Sequence, residues 1–153
     1  MNSTSQINLL KGYNNFNFGK TISNAEQYFG KPEENQVLND DILDTSCTVL
    51  HYWEQGFSLF FDNKDFQKFS SVEVDNKETT LFNKVIFDLK EQELINLMKQ
   101  HNFELSDTEM QEWGEKRVSF DDAGLDCYYE NGKLSSINFG VIEEATTFDF
   151  LPN

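Results

Sequence analysis

Two histidines, two cysteines and an excess of carboxylates are the residues of this chain that could carry chemistry. A nucleophilic triad needs a histidine that faces a hydroxyl or thiol and is itself oriented by a third group. His51 sits in an apolar run beside Tyr52 and Trp53, and reads as a contact residue or ligand. His101 closes a helical stretch, where an imidazolium complements the helix dipole. Cys47 and His51 are four residues apart, but in an extended segment that spacing does not cluster ligands, and no second Cys/His pair follows. Asp62-Asn63-Lys64-Asp65 lacks the Gly and the terminal Glu of a calcium loop. Acid pairs such as Glu33-Glu34 and Asp121-Asp122 would serve hydrolysis only if burial drove two pKa values apart. At turns they are expected in solvent. There is no Gly-rich phosphate loop. The expectation is a protein without enzymatic activity, metal or cofactor.

The elements that must position these residues follow from pattern. Thr21 or Ser23 can cap a helix, Ser23 and Glu26 have capping-box spacing, and Gly30 followed by Pro32 is a stop signal. Ile22, Ala25 and Phe29 give that helix one apolar face. Glu33–Ser46 reads as a polar connection. Strands are expected near Thr48–Glu54, Phe57–Asp62 and Phe66–Val74, joined by short turns as an antiparallel meander. Thr80–Phe87 reads as another strand. Asp88, with Glu91 three residues on, reads as the cap of a helix running to about His101. A polar connection over Glu104–Glu115 follows. Further strands are expected near Lys116–Phe120, Leu125–Tyr129 and Leu134–Val141, with Asn131-Gly132 as a hairpin turn. The tail Glu143–Leu151 reads as an extra strand or a docked extension.

This order runs twice. Gly124 lies 68 residues after Gly56, Asp88 67 after Thr21, and Ser135-Ser136 65 after Ser70-Ser71. Around each pair, aromatic, acid and Asn positions correspond. The fold class expected is therefore α+β: two tandem β-α-β-β-β repeats, residues 1–76 and 77–153. Each would pack its helix on antiparallel sheet, with a shared or closely packed core. Units of this size are marginal alone. Phe18, Ile22, Phe29, Phe87, Leu89, Ile95 and Met98 are expected in that core, and Gly56 and Gly124 at matching strand connections.

Net charge is −15, from 27 acids against 12 bases. That disfavours nucleic acid and anionic membrane surfaces and favours a basic partner. Cys47 and Cys127 make no disulfide framework, although a bridge between them stays open. The N-terminal residues lack a signal-peptide pattern and no run is long enough to span a membrane, so a cytoplasmic location is expected.

The segment Phe18-Gly19-Lys20-Thr21 through Phe29-Gly30-Lys31-Pro32 resembles the helix motif of small α+β domains related to beta-lactamase inhibitory proteins. These too are tandem duplications. Unit two departs from the motif at Asp88 and lacks its Gly-x-Pro, and the inhibitors' disulfides have no counterpart. In type, a small, acidic α+β chain is also similar to immunity proteins that neutralise bacterial toxins. The function expected is an acidic protein-binding module, an immunity or inhibitor protein for a basic toxin or enzyme. Its contact residues would be Trp53, Tyr52, His51 and Trp113, with Asp40, Asp41, Asp44, Asp121 and Asp122 as a complementary rim. The alternative is a small-ligand or structural module with a pocket between helix and sheet.

Overall fold

The computed structural model describes residues 5–142. In chain order the elements are β1 (Gln6–Asn8), β2 (Gly12–Tyr13), β3 (Phe16–Asn17), α1 (Ile22–Phe29), β4 (Glu34–Asp40), β5 (Thr45–Tyr52), β6 (Phe57–Asp62), β7 (Lys68–Val74), β8 (Thr80–Leu81), β9 (Lys84–Val85), α2 (Glu91–Gln100), β10 (Asp107–Met110), β11 (Glu115–Phe120), β12 (Leu125–Glu130) and β13 (Lys133–Gly140). Short 3₁₀ turns occupy Ile86–Asp88 and Asp121–Ala123. The strands form an eight-stranded sheet in the order β10-β11-β12-β13-β7-β6-β5-β4 and a five-stranded sheet in the order β3-β2-β1-β8-β9. The large sheet is antiparallel throughout: two four-strand meanders joined by pairing of β7 with β13.

This overturns the expected fold class. The described residues are mostly β, with two sheets and two helices, and are not a pair of helix-on-sheet α+β units. Two physical features misled the pattern. The polar stretches read as connections contain edge strands, β4 and β10, whose side chains are exposed throughout and therefore show no apolar alternation. The helices, at eight and ten residues, are too short to cover eight strands. Much of the covering layer is the small sheet, built in part from the Asn/Gly-rich stretch before α1. The Thr80–Phe87 strand is also broken. Phe82 and Asn83 take positive φ (52° and 65°) and split it into β8, β9 and a 3₁₀ turn.

Local signals at several ends match the backbone. Thr21 caps α1, its Oγ1 accepting from the Asn24 N–H while the Asn24 side chain returns a bond to the Thr21 N–H. Asp88, expected as the cap of the second helix, lies instead in the 3₁₀ turn. α2 starts three residues later from a cap at Lys90, with Glu93 accepting from the Lys90 N–H at 2.8 Å. Asn131-Gly132 turns β12 into β13 with φ of 54° and 80°, the handedness a two-residue hairpin needs. Gly56 joins the second and third strands of one meander, and Gly124 those of the other.

One face of the large sheet is the floor of the core. Leu50, Tyr52, Phe57, Leu59, Phe61, Phe69, Val72, Val74, Ile137, Phe139, Leu125, Cys127, Val118 and Phe120 all point to it and are buried. Tyr13 and Phe16 from the small sheet and Phe29 from α1 lock into this floor. Ring centroids lie 4.9 Å apart for Tyr13–Phe57, 5.1 Å for Phe16–Phe69 and 5.0 Å for Phe29–Phe57. A buried hydroxyl hub ties three segments together. Ser5 Oγ lies 2.6 Å from Tyr13 Oη and 2.8 Å from Thr79 Oγ1. Of the seven residues expected in the core, Met98 is buried. Phe18, Ile22, Phe29, Phe87, Leu89 and Ile95 are half-buried and pack against it.

Gly140 marks a close approach between the meanders. A Cβ there would fall 2.5 Å from Ser70 O and 2.7 Å from Ser71 Cβ. Cys47 and Cys127 are free. They lie four strands apart on opposite faces of the sheet, so no bridge between them is possible without rebuilding it. No helix among the described residues is long and apolar enough to cross a membrane. The expected tail element at residues 143–151 lies outside the described residues.

Phe61→Ala should lower stability by about 3–5 kcal/mol, and Phe87→Ala by clearly less, because Phe87 is half-buried with Lys77 Nζ 4.5 Å above its ring. Urea denaturation of the two variants compares them. Equal losses would place Phe87 in the core after all. The buried Tyr129 hydroxyl has no hydrogen-bond partner among the described residues, so Tyr129→Phe should raise stability by about 1 kcal/mol, the scale of an unmet buried donor. A lower urea midpoint for that variant would show that the hydroxyl is satisfied in solution.

Candidate functional site

The face of the large sheet opposite the core is open, and one row of cross-strand partners runs across it from edge to edge. It contains one residue from each strand: Glu34, His51, Ser58, Glu73, Asn138, Asp126, Ser119 and Asp107. Every member is polar, and each on the inner strands is flanked in sequence by buried residues. Alternation puts the flanking residues in the core and the row on the open face. Four members are carboxylates.

Two hydrogen-bonded groups organise the row. Near one edge, His51 Nδ1 lies 2.7 Å from Ser58 Oγ and its Nε2 2.9 Å from Gln36 Oε1. The amide oxygen only accepts, so Nε2 donates to it, and Nδ1 shares a hydrogen bond with the Ser58 hydroxyl. Trp53 stacks on the same imidazole at 4.9 Å. The pair has a nucleophile-and-base outline, but the ring is oriented by an amide where a triad uses a carboxylate. Near the other edge, Arg117 donates to Glu109 Oε1 at 2.7 Å, to Asp107 Oδ2 at 3.3 Å and to Ser119 Oγ, and Ser119 donates to Asp126 Oδ1 at 2.5 Å. The bond to Glu109 is the main reason that the guanidinium is held even more firmly charged than usual. Between the groups stands Glu73. Desolvation, then repulsion from Asp75, pushes its carboxyl above the usual glutamate range, and His51 offsets part of this. A recess of about 530 Å³ opens beside the row, with Ser71, Asp121, Asp126, Asn138, Gly140 and Ile142 in its wall.

The expected contact residues do not form one site. Tyr52 is removed from the surface. Its ring is buried against Phe57 and Phe29, and its hydroxyl donates to Gly30 O at 2.8 Å, because Tyr52 alternates with His51 and so faces the core. Trp53 is 57% exposed and Trp113 70% exposed. β5 and β11 are separated by five antiparallel steps and run in opposite directions. Trp53, just past the end of β5, and Trp113, just before the start of β11, therefore share one end of the sheet. They sit roughly 24 Å apart at about 4.8 Å per step. By the same geometry Asp40 at the end of β4, Asp41 and Asp44 in the β4–β5 turn, and Asp121 and Asp122 after β11 sit at the opposite end. Asp40 is engaged in its turn, accepting from the Ile42 and Leu43 N–H groups, and Asp44 pairs with Lys64 at 3.0 Å.

Gln36, Ser58, Glu73, Arg117, Ser119 and Asp126 were not singled out from the sequence. For Ser58, Glu73, Ser119 and Asp126 the signal is a polar residue between apolar ones, and only strand pairing shows that they form one line, with Gln36 and Arg117 standing beside it. Among the described residues, no group of three metal-ligating side chains stands together. The space between α1 and the large sheet, where a ligand pocket was the alternative expectation, is occupied by the rings of Phe29, Tyr52 and Phe57.

Because the Glu73 carboxyl titrates higher in the folded chain than in the unfolded one, its ionisation costs stability. The cost is absent below the unfolded value of 4.5 and grows as pH rises toward the folded value. Glu73→Gln should therefore stabilise the protein at neutral pH, with the gain fading as pH drops below about 4.5. Urea melts of both proteins across pH 3–8 measure this, and a pH-independent difference would contradict it. Cys127, buried with its thiol pushed up by desolvation, should resist a thiol reagent until the protein is denatured, whereas half-buried Cys47 should react slowly in the native state. Prompt native labelling of two thiols would contradict that arrangement.

No family model matches the chain, and no curated protein matches it. Among solved structures it is similar to a DUF4309 family protein, YjgB, from Bacillus subtilis subsp. subtilis str. 168. The likeness has 13% sequence identity and a TM-score of 0.46, covering 79% of this chain and 78% of that one.

Proposed function

We propose that this chain is a non-catalytic protein-binding module, of the immunity or inhibitor type, that holds a basic partner protein against the open face of its large sheet in the cytoplasm. The observation that carries this reading is the unbroken polar row, with Glu34, Glu73, Asp126 and Asp107 as its carboxylates and Glu109 close by. Arg117, the cation beside the row, is already engaged by Asp107 and Glu109, so the face offers net negative charge to an approaching surface. Glu73 in particular is a partly desolvated carboxylate whose ionised form a partner cation would favour. The net charge of −15 would steer a basic protein toward the face. Trp53, held flat on His51 at its end, supplies an apolar anchor.

The test is affinity capture from lysate with the wild-type protein and with a Glu73→Lys/Asp126→Lys variant, followed by surface-plasmon kinetics on the protein retained. Association should slow markedly as salt rises, because the Debye length falls from about 30 Å at 0.01 M to about 8 Å at 0.15 M. The double variant should lose most of the association rate, and Trp53→Ala should mainly speed dissociation. A salt-independent association rate, with neither variant affecting binding, would sink the proposal.

A further inference from the structure

β4 forms one edge of the large sheet, and its outer backbone has no strand beside it among the described residues. Sheet edges left open in this way are usually blocked by a bulge, a Pro or an edge Lys, because their unpaired N–H and C=O groups accept any extended chain. β4 has none of these. Its seven residues, Glu34 to Asp40, contain no Pro, Gly or Lys and pair with β5 in unshifted register along their whole length. All seven are exposed, and at the centre Val37 is 56% and Leu38 43% exposed, one on each face of the strand. The opposite edge, β10, is four residues long, and two of them, Asp107 and Glu109, are engaged by Arg117.

Charge decides what can occupy this edge. Glu34 and Asp40 stand at its two ends. Antiparallel pairing of two copies centred on Val37 sets Glu34 against Asp40 twice, and in-register parallel pairing sets each acid against itself. Like charges placed directly opposite each other destabilise a strand pair. A strand with cations at those positions and an apolar centre meets no such penalty. We propose that β4 is a strand-addition site for an extended basic segment of a partner protein, which would become a ninth strand of the large sheet. Main-chain hydrogen bonds would supply affinity, and the terminal carboxylates with Val37 and Leu38 would supply selection. The site shares Glu34 with the open-face row, but it rests on the backbone of the edge and does not depend on that reading.

The probe is a fluorescein-labelled seven-residue peptide alternating lysine and valine, with a control in which glutamate replaces lysine. Anisotropy titration should show binding of the lysine peptide and about tenfold weaker binding, or none, of the glutamate peptide. Hydrogen exchange followed by NMR should show the lysine peptide protecting amides of β4. A Glu34→Lys/Val37→Lys variant, altered only at exposed positions and expected to keep its thermal midpoint, should lose about tenfold in affinity for the lysine peptide. Trp53→Ala and Glu73→Lys should bind it as the wild type does. The proposal is overturned by equal binding of the two peptides, by protection of open-face strands in place of β4, or by loss of binding in Trp53→Ala or Glu73→Lys. A concentration-dependent dimer that the β4 variant dissolves would also overturn it, assigning the edge to a second copy.

Discussion

Four residue pairs between β7 and β13 hold the two meanders in one sheet: Val74 with Ile137, Glu73 with Asn138, Val72 with Phe139 and Ser71 with Gly140. Side chains alternate faces, so a slip of one residue here would turn Glu73 and Asn138 into the core and Val72 or Ile137 toward solvent. Two of the four pairs are wholly apolar and buried, which fixes the register. Gly140 lets the two strands approach where any side chain would strike Ser70 and Ser71. The small sheet repeats the connection one layer away. There β1 runs parallel to β8, and the Ser5–Tyr13–Thr79 hub spans both halves of the chain.

From that seam follows the contrast between the faces of the large sheet. One is filled by an aromatic and aliphatic core. On the other, polar groups are paired by hydrogen bonds across strands, as in Gln36–His51–Ser58 and Glu109–Arg117–Ser119–Asp126. Such groups fix side-chain positions without burying the face, and leave a charged surface whose geometry is set before any partner arrives. Preorganisation of this kind reduces the ordering cost of association. The open edge at β4 is a different kind of surface, where recognition would rest on backbone groups and little on side-chain shape.

Much of the strand content was legible from the chain itself. β6 was placed at its observed bounds, and β5, β7, β11, β12 and β13 to within a few residues, since their buried positions alternate and their turns carry Gly or Asn. The Thr21 cap and the Asn131-Gly132 turn were legible for the same local reason. β4 and β10 were not, because an edge strand exposed on both faces has the composition of a loop and gains its conformation from its neighbour's backbone. The break at Phe82-Asn83 was also hidden, since a Phe at positive φ is held there by its surroundings. One of them is the imidazole of His101, stacked on its ring at 3.6 Å.

The candidate site shows the same division. Sequence by itself determined that Tyr52 and Trp53 point to opposite sides of a strand, that the chain is strongly acidic, and that no familiar catalytic motif is present. It could not determine which side of that strand is the core. Both sides carry aromatic rings locally, and the choice rests on where the small sheet and α1 dock. Nor could it show that His51, Glu73, Asp126 and Asp107, spread over 76 positions of chain, stand in one line. That line exists only because seven antiparallel pairings, each fixed by burial of its apolar neighbours, bring one polar residue from every strand into register.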